Sequence, residues 1–211
     1  MRSDEDFKCS LWAKVGFAFE ERSKLLNVGC GGGADLFFFI EKMNLDVVNL
    51  DIEMNLHPDL IATTEFLSAS VLDLPIEDDV FDYVVMSDVL HHVDETSQLR
   101  SNHVKALSEC YRVLRPGGVM IVLEGNRYNP ISYFHMVKHL GHNHFTFKYF
   151  KKLFDGFENV EFKSFEAHHY PWLLGVFRIY EVIMEQLMPD RIKSYNCAIV
   201  SKNGNDSEAS L

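Results

Sequence analysis

The sequence predicts an α/β fold in which a parallel sheet is covered by helices on both faces. Three observations predict it: short apolar segments alternate with helix-like stretches, a run of glycines follows the first strand-like segment, and a strong helix-stop signal precedes a later one. This alternation is typical of parallel sheets, because parallel strands need long crossover connections. With 211 residues the chain is long enough for one sizeable core, and we expect a single domain over residues 1–202.

Strands are expected where short apolar runs are bounded by turn-forming residues. In chain order we predict them at Lys24–Val28, Leu45–Leu50, Phe81–Met86, Val119–Leu123, Val160–Glu166 and Tyr195–Ser201. One more strand before Phe81 is open between Asp59–Thr63 and Glu65–Ala69, because Pro58 leaves little room for a full crossover helix.

Helices are expected where apolar residues recur three and four positions apart. They are predicted at Ala34–Met43, Leu99–Leu114, Ser132–His139, Lys148–Phe154 and Trp172–Leu187. The second of these ends before Arg115-Pro116-Gly117-Gly118, a strong stop signal. Residues 125–157 are rich in aromatic side chains, Asn and His, and we interpret them as an insertion that covers the site where the substrate binds. The polar tail, residues 203–211, is expected to be disordered.

Charge and composition exclude several classes of function. Lys and Arg number 20 against 31 Asp and Glu, a net charge of −11, so we expect repulsion of a phosphate backbone and no nucleic-acid substrate. The sequence shows no run of about 18 apolar residues and no secretory leader, so we expect no membrane span and a cytoplasmic location. The four cysteines are scattered without a CxxC pair, and we expect reduced thiols and no zinc site.

A glycine-rich turn, residues 29–33, stands between the first predicted strand and the first predicted helix. Small residues let a ligand approach the backbone closely and leave N–H groups to bind it. Cys30 lies inside the turn, where we interpret it as a small residue that fits and not as a nucleophile. The turn does not identify the cofactor, because Gly29, Gly31 and Ala34 also satisfy the G-x-G-x-x-G/A pattern of dinucleotide-binding proteins.

Asp51, at the end of the second predicted strand, narrows the choice to a cofactor that contains ribose. A carboxylate at this point can accept both hydroxyl hydrogens of a ribose. Glu53 is a nearby competitor for this role. NAD-dependent enzymes and methyltransferases both use such an acid, so both classes stay open at this point.

Three later segments decide between the two classes. Leu74–Asp82 reads LPIEDDVFD, Ser87–Val93 reads SDVLHHV, and Arg112–Gly118 reads RVLRPGG. In these segments the sequence resembles class I S-adenosylmethionine-dependent methyltransferases, specifically the small-molecule group with LPF-type and RVLKPGG-type motifs. The resemblance covers about Lys24 to Glu124. It implies a Rossmann-like, seven-stranded, mostly parallel sheet with an antiparallel last strand, and S-adenosyl-L-methionine as the cofactor.

The resemblance also implies which residues bind the cofactor. Gly29, Gly31 and Gly33, with Cys30 between them, would pass beneath the methionine portion. Asp51 would hold the ribose, and Ser87 would line the methionine end.

The sequence departs from the family pattern at two places. Asn27 occupies a position that is often acidic in this family, which implies a weaker or different hold on the cofactor ammonium. The acid that usually contacts adenine is replaced by Ser70, followed by Val71, whose hydroxyl and N–H can still bind the base. Asp73 is the alternative if the register shifts.

Methyl transfer requires an electron-rich acceptor held in line with the leaving sulfur at about 3 Å, and a base only if the acceptor carries a proton. Side chains that titrate near neutral pH or lie at the sheet edge are the candidates: Asp88, His91, His92, His142 and His144. Glu124–Pro130 and His142–Phe145 resemble a subgroup that includes many enzymes of polysaccharide and lipid-carrier pathways, and this resemblance favours His142 and His144 as the acceptor contacts. His135, His139, His142 and His144 are spaced closely enough to bind a metal, but no Asp, Glu or Cys nearby completes the group, so we expect no metal.

The segment Trp172–Met184 is more apolar than a surface helix needs to be, and core packing is its favoured interpretation. A pocket for a hydrophobic acceptor, a homodimer face and a membrane-surface contact are the alternatives. For the whole chain we hold three hypotheses. The first is a methyltransferase acting on a small-molecule or glycolipid-like acceptor, the second an NAD-dependent oxidoreductase, and the third a non-catalytic S-adenosylmethionine-binding protein.

Overall fold

A computed structural model of the chain describes residues 4–61, 64–139, 141, 143–168 and 174–204. The strands in these ranges are β1 Lys24–Val28, β2 Asp46–Asp51, β3 Glu65–Ser68, β4 Phe81–Ser87, β5 Leu114–Gly125, β6 Val160–Phe165 and β7 Tyr195–Ser201. They form one sheet in the order β3-β2-β1-β4-β5-β7-β6. Every neighbouring pair is parallel except those that β7 makes with β5 and β6. The predicted mostly parallel, seven-stranded sheet with an antiparallel last strand is therefore confirmed.

Helices flank this sheet. The α-helices are α1 Asp4–Val15, α2 Pro58–Ile61, α3 Arg100–Arg112, α4 Pro130–Ser132, α5 Phe147–Leu153 and α6 Leu174–Leu187. Two segments are π-helical, Phe37–Lys42 and Tyr133–His139, and two are 3-10 helical, Leu90–His92 and Asp190–Ile192. Because β1 has β2 on one side and β4 on the other, the direction of strand succession reverses at β1, and open α/β sheets bind ligands at this point.

Several predicted boundaries are wrong. The predicted helix Ala34–Met43 is reduced to the π-helix Phe37–Lys42. The predicted strand Val119–Leu123 begins earlier, because Leu114 already pairs with Phe81 and the register then shifts before Tyr83. Of the two alternatives for the strand before Phe81, the chain forms the later one.

Helix α1 was not predicted, although its apolar residues have helical spacing. Leu11, Trp12 and Val15 are buried, and the Trp12 indole stacks on the Phe38 ring at a centroid distance of 5.9 Å. This packing joins α1 to the π-helix on one face of the sheet. On the opposite face, α3 and α5 bury side chains such as Leu107 and Phe150. Apolar layers on both faces therefore hold the sheet in place.

Helix α6 has an apolar outer face. Met184 is buried against the rest of the protein, but large apolar side chains on the other side of the helix are exposed: Val176, Ile179, Val182, Ile183 and Leu187. Core packing is therefore wrong for this face, and the three alternatives stay predictions. Among the described residues, the structure contains no helix long and apolar enough to cross a membrane.

Arg112 explains why the LPIEDD and RVLRPGG segments occur together. Its guanidinium donates hydrogen bonds to the carbonyl oxygens of Ile76 (2.7 Å) and Leu74 (3.0 Å). It also pairs with the Asp78 and Glu109 carboxylates, at 2.7 Å and 2.8 Å. One cation at the end of α3 thus fixes the loop that leads into β4.

Replacing Arg112 by methionine is expected to lower the free energy of unfolding by about 2 kcal/mol, because two main-chain carbonyls and two carboxylates lose a charged donor. Urea denaturation measures the loss. Arg100→Met is the control, since Arg100 is half-exposed and its pair with Asp155 is 3.6 Å long; about 1 kcal/mol or less is expected there. Equal losses in the two variants would show that Arg112 does not fix the loop.

Candidate functional site

A cavity of about 500 Å³ opens at the carboxyl ends of the central strands. Its walls come from the ends of β1 and β2 and from the segments that follow β1, β2, β3 and β4. Cavities that hold small ligands and cofactors in proteins span about 300–1,000 Å³. The cavity lies where the order of the strands reverses, as expected for a cofactor site.

The glycine turn forms the floor of this cavity. Gly29, Gly31 and Gly33 have φ of +68°, +48° and +86°, a conformation that side chains rarely adopt. A Cβ atom on Gly29 would lie only 2.4 Å from a Val89 methyl carbon, whereas Gly31 and Gly32 face open space. The turn is therefore closed on the Val89 side and open above Gly31 and Gly32, where a ligand can lie against the backbone.

Asp51 binds the turn and still has capacity for a ligand. Its Oδ2 accepts a hydrogen bond from Gly31 N at 2.9 Å, and its Oδ1 accepts one from Ile52 N at 2.8 Å. A third donor, Glu53 N, lies 3.5 Å from Oδ1, so at least one of the roughly four lone-pair sites of the carboxylate, on Oδ2, remains for a ribose hydroxyl. Glu53, the competitor, is exposed and does not line the cavity. The geometry favours Asp51 for this role.

Ser70 lies on the cavity and Asp73 does not. Ala69, Ser70, Val71 and Leu72 all contribute to the cavity wall, whereas Asp73 is exposed to solvent. The Ser70 hydroxyl accepts a hydrogen bond from Leu72 N at 3.2 Å, which leaves its own proton to donate. Small and apolar side chains with one hydroxyl suit a flat heterocyclic base.

Four predicted cofactor residues do not line the cavity: Asn27, Cys30, Gly33 and Ser87. The Asn27 amide donates to Asn49 Oδ1 at 3.1 Å within the sheet, and Ser87 Oγ accepts from Lys8 Nζ at 3.1 Å. Cys30 is buried, and burial together with the Asp51 charge raises the pKa of its thiol to about 12. Their roles stay predictions.

Asp88 marks the other end of the cavity. Its φ is +57°, and its Oδ1 accepts a hydrogen bond from Gly125 N at 3.1 Å. Its Oδ2 accepts one from the Tyr195 hydroxyl at 3.2 Å. Burial, reinforced by the Asp88 charge, raises the pKa of Tyr195 well above its ordinary value, so the phenol keeps its proton. His92 lines the cavity beside this pair and contacts Glu95.

The two predicted catalytic residues differ in what the structure shows. His142 lies outside the described residues. His144 is buried: its ring stacks on that of His91 at a centroid distance of 4.4 Å and packs against Gly125. It does not line the cavity, and its part in catalysis stays a prediction. Among the described residues, no group of three or more His, Cys, Asp or Glu side chains is arranged to hold a metal.

Sequence reasoning missed Glu124 and Tyr195 as residues of the site. Glu124 is fully buried and receives hydrogen bonds from three consecutive residues, Val89, Leu90 and His91. It begins the segment Glu124–Pro130, which resembles a methyltransferase subgroup, but the sequence does not show which other part of the chain it contacts. Tyr195 opens β7 and contacts Asp88 only because β7 pairs with β5.

Comparison with known sequences finds a family match for the central part of the chain. Residues 26–122 match the model of a methyltransferase domain family. An uncharacterised protein of Methanocaldococcus jannaschii is 33% identical over 109 residues, which are 52% of this chain and 44% of the relative. The demethylmenaquinone methyltransferase of Lysinibacillus sphaericus is 26% identical over 168 residues, 74% of this chain and 62% of the relative. The chain thus spans less than two thirds of the length of both relatives.

Solved structures share the fold over nearly the whole chain. A methyltransferase from Archaeoglobus fulgidus, dependent on S-adenosylmethionine, has a TM-score of 0.69 at 17% identity and covers 95% of both chains. Phosphoethanolamine N-methyltransferase 2 of Haemonchus contortus, solved with phosphomonomethylethanolamine and S-adenosylhomocysteine, has a TM-score of 0.62 at 16% identity. The match covers 93% of this chain and 52% of that one. Residues 26–122 therefore form a methyltransferase domain, and the likenesses show that the chain has the fold of class I S-adenosylmethionine-dependent methyltransferases.

Proposed function

We propose that this chain transfers a methyl group from S-adenosylmethionine to a small-molecule or glycolipid-like acceptor. The observation that carries the proposal is the cavity, where the open glycine turn, the Asp51 carboxylate and the wall around Ser70 lie together. S-adenosylmethionine supplies an electrophilic methyl carbon on a positively charged sulfur. Asp51 accepts hydrogen bonds from the ribose hydroxyls, and the space above Gly31 and Gly32 holds the methionine portion.

The charge of the cavity supports this cofactor over a dinucleotide. The described residues that line the cavity include three acids, Asp51, Asp88 and Asp94. These lining residues include no lysine or arginine. A pyrophosphate group would meet this negative charge without a cation to offset it. A sulfonium is attracted to the same carboxylates, because opposite charges interact strongly in a partly buried site. The cavity therefore favours a cationic ligand.

The acceptor is proposed to approach from the side of Asp88 and His92. Asp88 is held by Gly125 N and by the Tyr195 hydroxyl, so its carboxylate has a fixed position. His92 lines the cavity beside Asp88, and an imidazole can take a proton from a hydroxyl or an amine. His142 and His144 stay our predicted acceptor contacts. In that role, replacing both by alanine lowers turnover.

The acceptor class rests on the relatives and on charge. The curated relatives include enzymes named for demethylmenaquinone and phosphoethanolamine, both small molecules. The net charge of −11 supports an acceptor other than nucleic acid. All four cysteines are free thiols, which supports a reducing, cytoplasmic location.

Isothermal titration calorimetry with S-adenosylmethionine, S-adenosylhomocysteine and NAD tests the cofactor. We expect both adenosyl compounds to bind at one site and NAD to give no heat. Binding of NAD alone would overturn the proposal. Mass spectrometry of an acceptor screen then tests turnover. S-adenosylhomocysteine formed in step with a methylated acceptor supports an enzyme, and tight cofactor binding without any product across the screen supports a non-catalytic binding protein.

A further inference from the structure

Residues 88–92, which contribute to one wall of the cavity, are bound by the end of β5. Asp88 N donates to Leu123 O at 2.9 Å, and Gly125 N donates to the Asp88 carboxylate at 3.1 Å. Glu124, between these two residues, is fully buried and turns its carboxylate toward the same segment. Three consecutive β5 residues thus contact the loop that follows β4.

Glu124 makes three hydrogen bonds to this segment. Its Oε1 accepts from Val89 N at 3.1 Å and from Leu90 N at 2.6 Å, and its Oε2 lies 2.7 Å from His91 Nδ1. A buried carboxylate is costly unless several donors compensate it, and here they come from three consecutive residues. A neutral amide at position 124 keeps one oxygen for the two N–H groups but loses the negative charge, and it turns an NH₂ group toward His91 in place of Oε2.

The position of this segment determines the shape of the cofactor turn. The two Val89 methyl carbons pack so closely on Gly29 that a Cβ atom there would be only 2.4 Å and 2.5 Å from them. Val89, His92 and Asp88 all line the cavity. A shift of the segment would therefore move one cavity wall and the contact that closes the glycine turn.

We propose that Glu124 is a positioning residue: it holds residues 88–92 against the glycine turn and thereby sets the affinity for the cofactor. The proposal rests on the proposed function for the identity of that cofactor. Glu124 does not line the cavity, so it acts through the segment that it binds. This role distinguishes it from Asp51, which faces the ligand.

The His91 imidazole gives this arrangement a dependence on pH. Burial lowers the pKa of His91, but the charge and hydrogen bond of Glu124 outweigh it, and the net shift is upward. Other titratable groups also surround the imidazole: Asp88, His92, Glu95, His103 and His144. Because the pKa of His91 is raised in the folded state, the stabilisation of the fold by the charged His91–Glu124 pair is full below the ordinary value of 6.5. It is lost as pH rises through the raised pKa.

The test compares Glu124→Gln with a matched control, Glu166→Gln. Glu166 is also fully buried and accepts hydrogen bonds from Ser194 N (2.8 Å), the Asn129 amide (2.9 Å) and His168. It follows β6, however, and none of these residues lines the cavity. We expect E124Q to raise the Kd for S-adenosylhomocysteine at least tenfold at pH 6, and E166Q to leave it within twofold. The difference between the variants is expected to shrink as pH rises through the raised pKa.

Hydrogen–deuterium exchange of the ligand-free protein provides a readout that needs no cofactor. The peptide covering residues 88–93 is expected to exchange faster in E124Q than in the wild type or E166Q, because the Val89 and Leu90 amides bond to a neutral amide oxygen, a weaker acceptor than a carboxylate. Equal exchange, or equal affinity in the two variants, would overturn the positioning role. A wild-type chain that does not bind S-adenosylhomocysteine contradicts the proposed function instead, and exchange alone then decides the role of Glu124.

Val89→Ala keeps the proposal testable if E124Q does not fold. This variant leaves the buried carboxylate and all its main-chain donors in place and removes the methyl groups that cover Gly29. We expect the Kd for S-adenosylhomocysteine to rise by about threefold to tenfold. An unchanged Kd would overturn the proposal, because it would show that the contact of Val89 with Gly29, through which the segment is proposed to act, does not set the affinity.

Discussion

Replacing Asp51 by alanine is expected to raise the Kd for S-adenosylhomocysteine by about 100-fold or more. The variant loses the two charged acceptors for the ribose hydroxyls, and each such bond contributes about 1.5–3 kcal/mol, where 1.4 kcal/mol corresponds to a factor of ten. It also frees Gly31 N and Ile52 N, so the glycine turn loses its support. Titration calorimetry measures the affinity.

Glu53→Ala is the matched control for this effect. Glu53 carries the same charge two residues further on, but it is exposed and does not line the cavity. We expect its Kd to stay within twofold of the wild type, so a general loss of negative charge can be distinguished from loss of the ribose contact. A similar rise in both variants would contradict the role of Asp51.

Replacing Gly29 by alanine is expected to destabilise the fold by about 2–5 kcal/mol. The φ of +68° costs a side chain about 1–2 kcal/mol, and a Cβ only 2.4 Å from Val89 adds the cost of overpacking, about 1–3 kcal/mol. The Val89 side chain cannot retreat freely, because its own N–H is held by Glu124. Urea denaturation measures the loss.

Gly32→Ala separates the fold of the turn from its binding function. Gly32 does not have a positive φ, and a Cβ there meets open space. We expect the free energy of unfolding of this variant to lie within about 1 kcal/mol of the wild-type value, since Gly and Ala differ little where the backbone conformation is ordinary. Its affinity for S-adenosylhomocysteine falls, however, because the new methyl group occupies the open space above the turn. Wild-type stability in Gly29→Ala would show that the close approach of Val89 is not required.

Local signals predicted most of the sheet. The bounds of β1 and β7 agree with the prediction at both ends, because an apolar run bounded by turn residues depends on nearby sequence alone. The prediction of a helix at Ala34–Met43 failed for a different reason: Phe38 and Phe39 pack in one apolar cluster with α1 and the sheet, and the chain forms a short π-helix there. Tertiary packing decided this element, and the sequence pattern does not display it.

The candidate site shows the same division. The sequence indicated Asp51 and the glycine turn because both lie next to recognisable strand ends. It could not choose between Ser70 and Asp73, since which of them lines the cavity depends on how the chain turns after β3. Glu124 and its partners lie 33 to 35 residues apart, and only the pairing of β4 with β5 brings them together.

Cys30 makes the glycine turn chemically inert. Oxidants and alkylating reagents attack the thiolate and not the protonated thiol, and a thiol with a pKa of about 12 is almost entirely protonated in the cell. Cys110 and Cys197 are buried and have similarly raised pKa values. We therefore expect the thiol in the glycine turn to resist oxidation and alkylation.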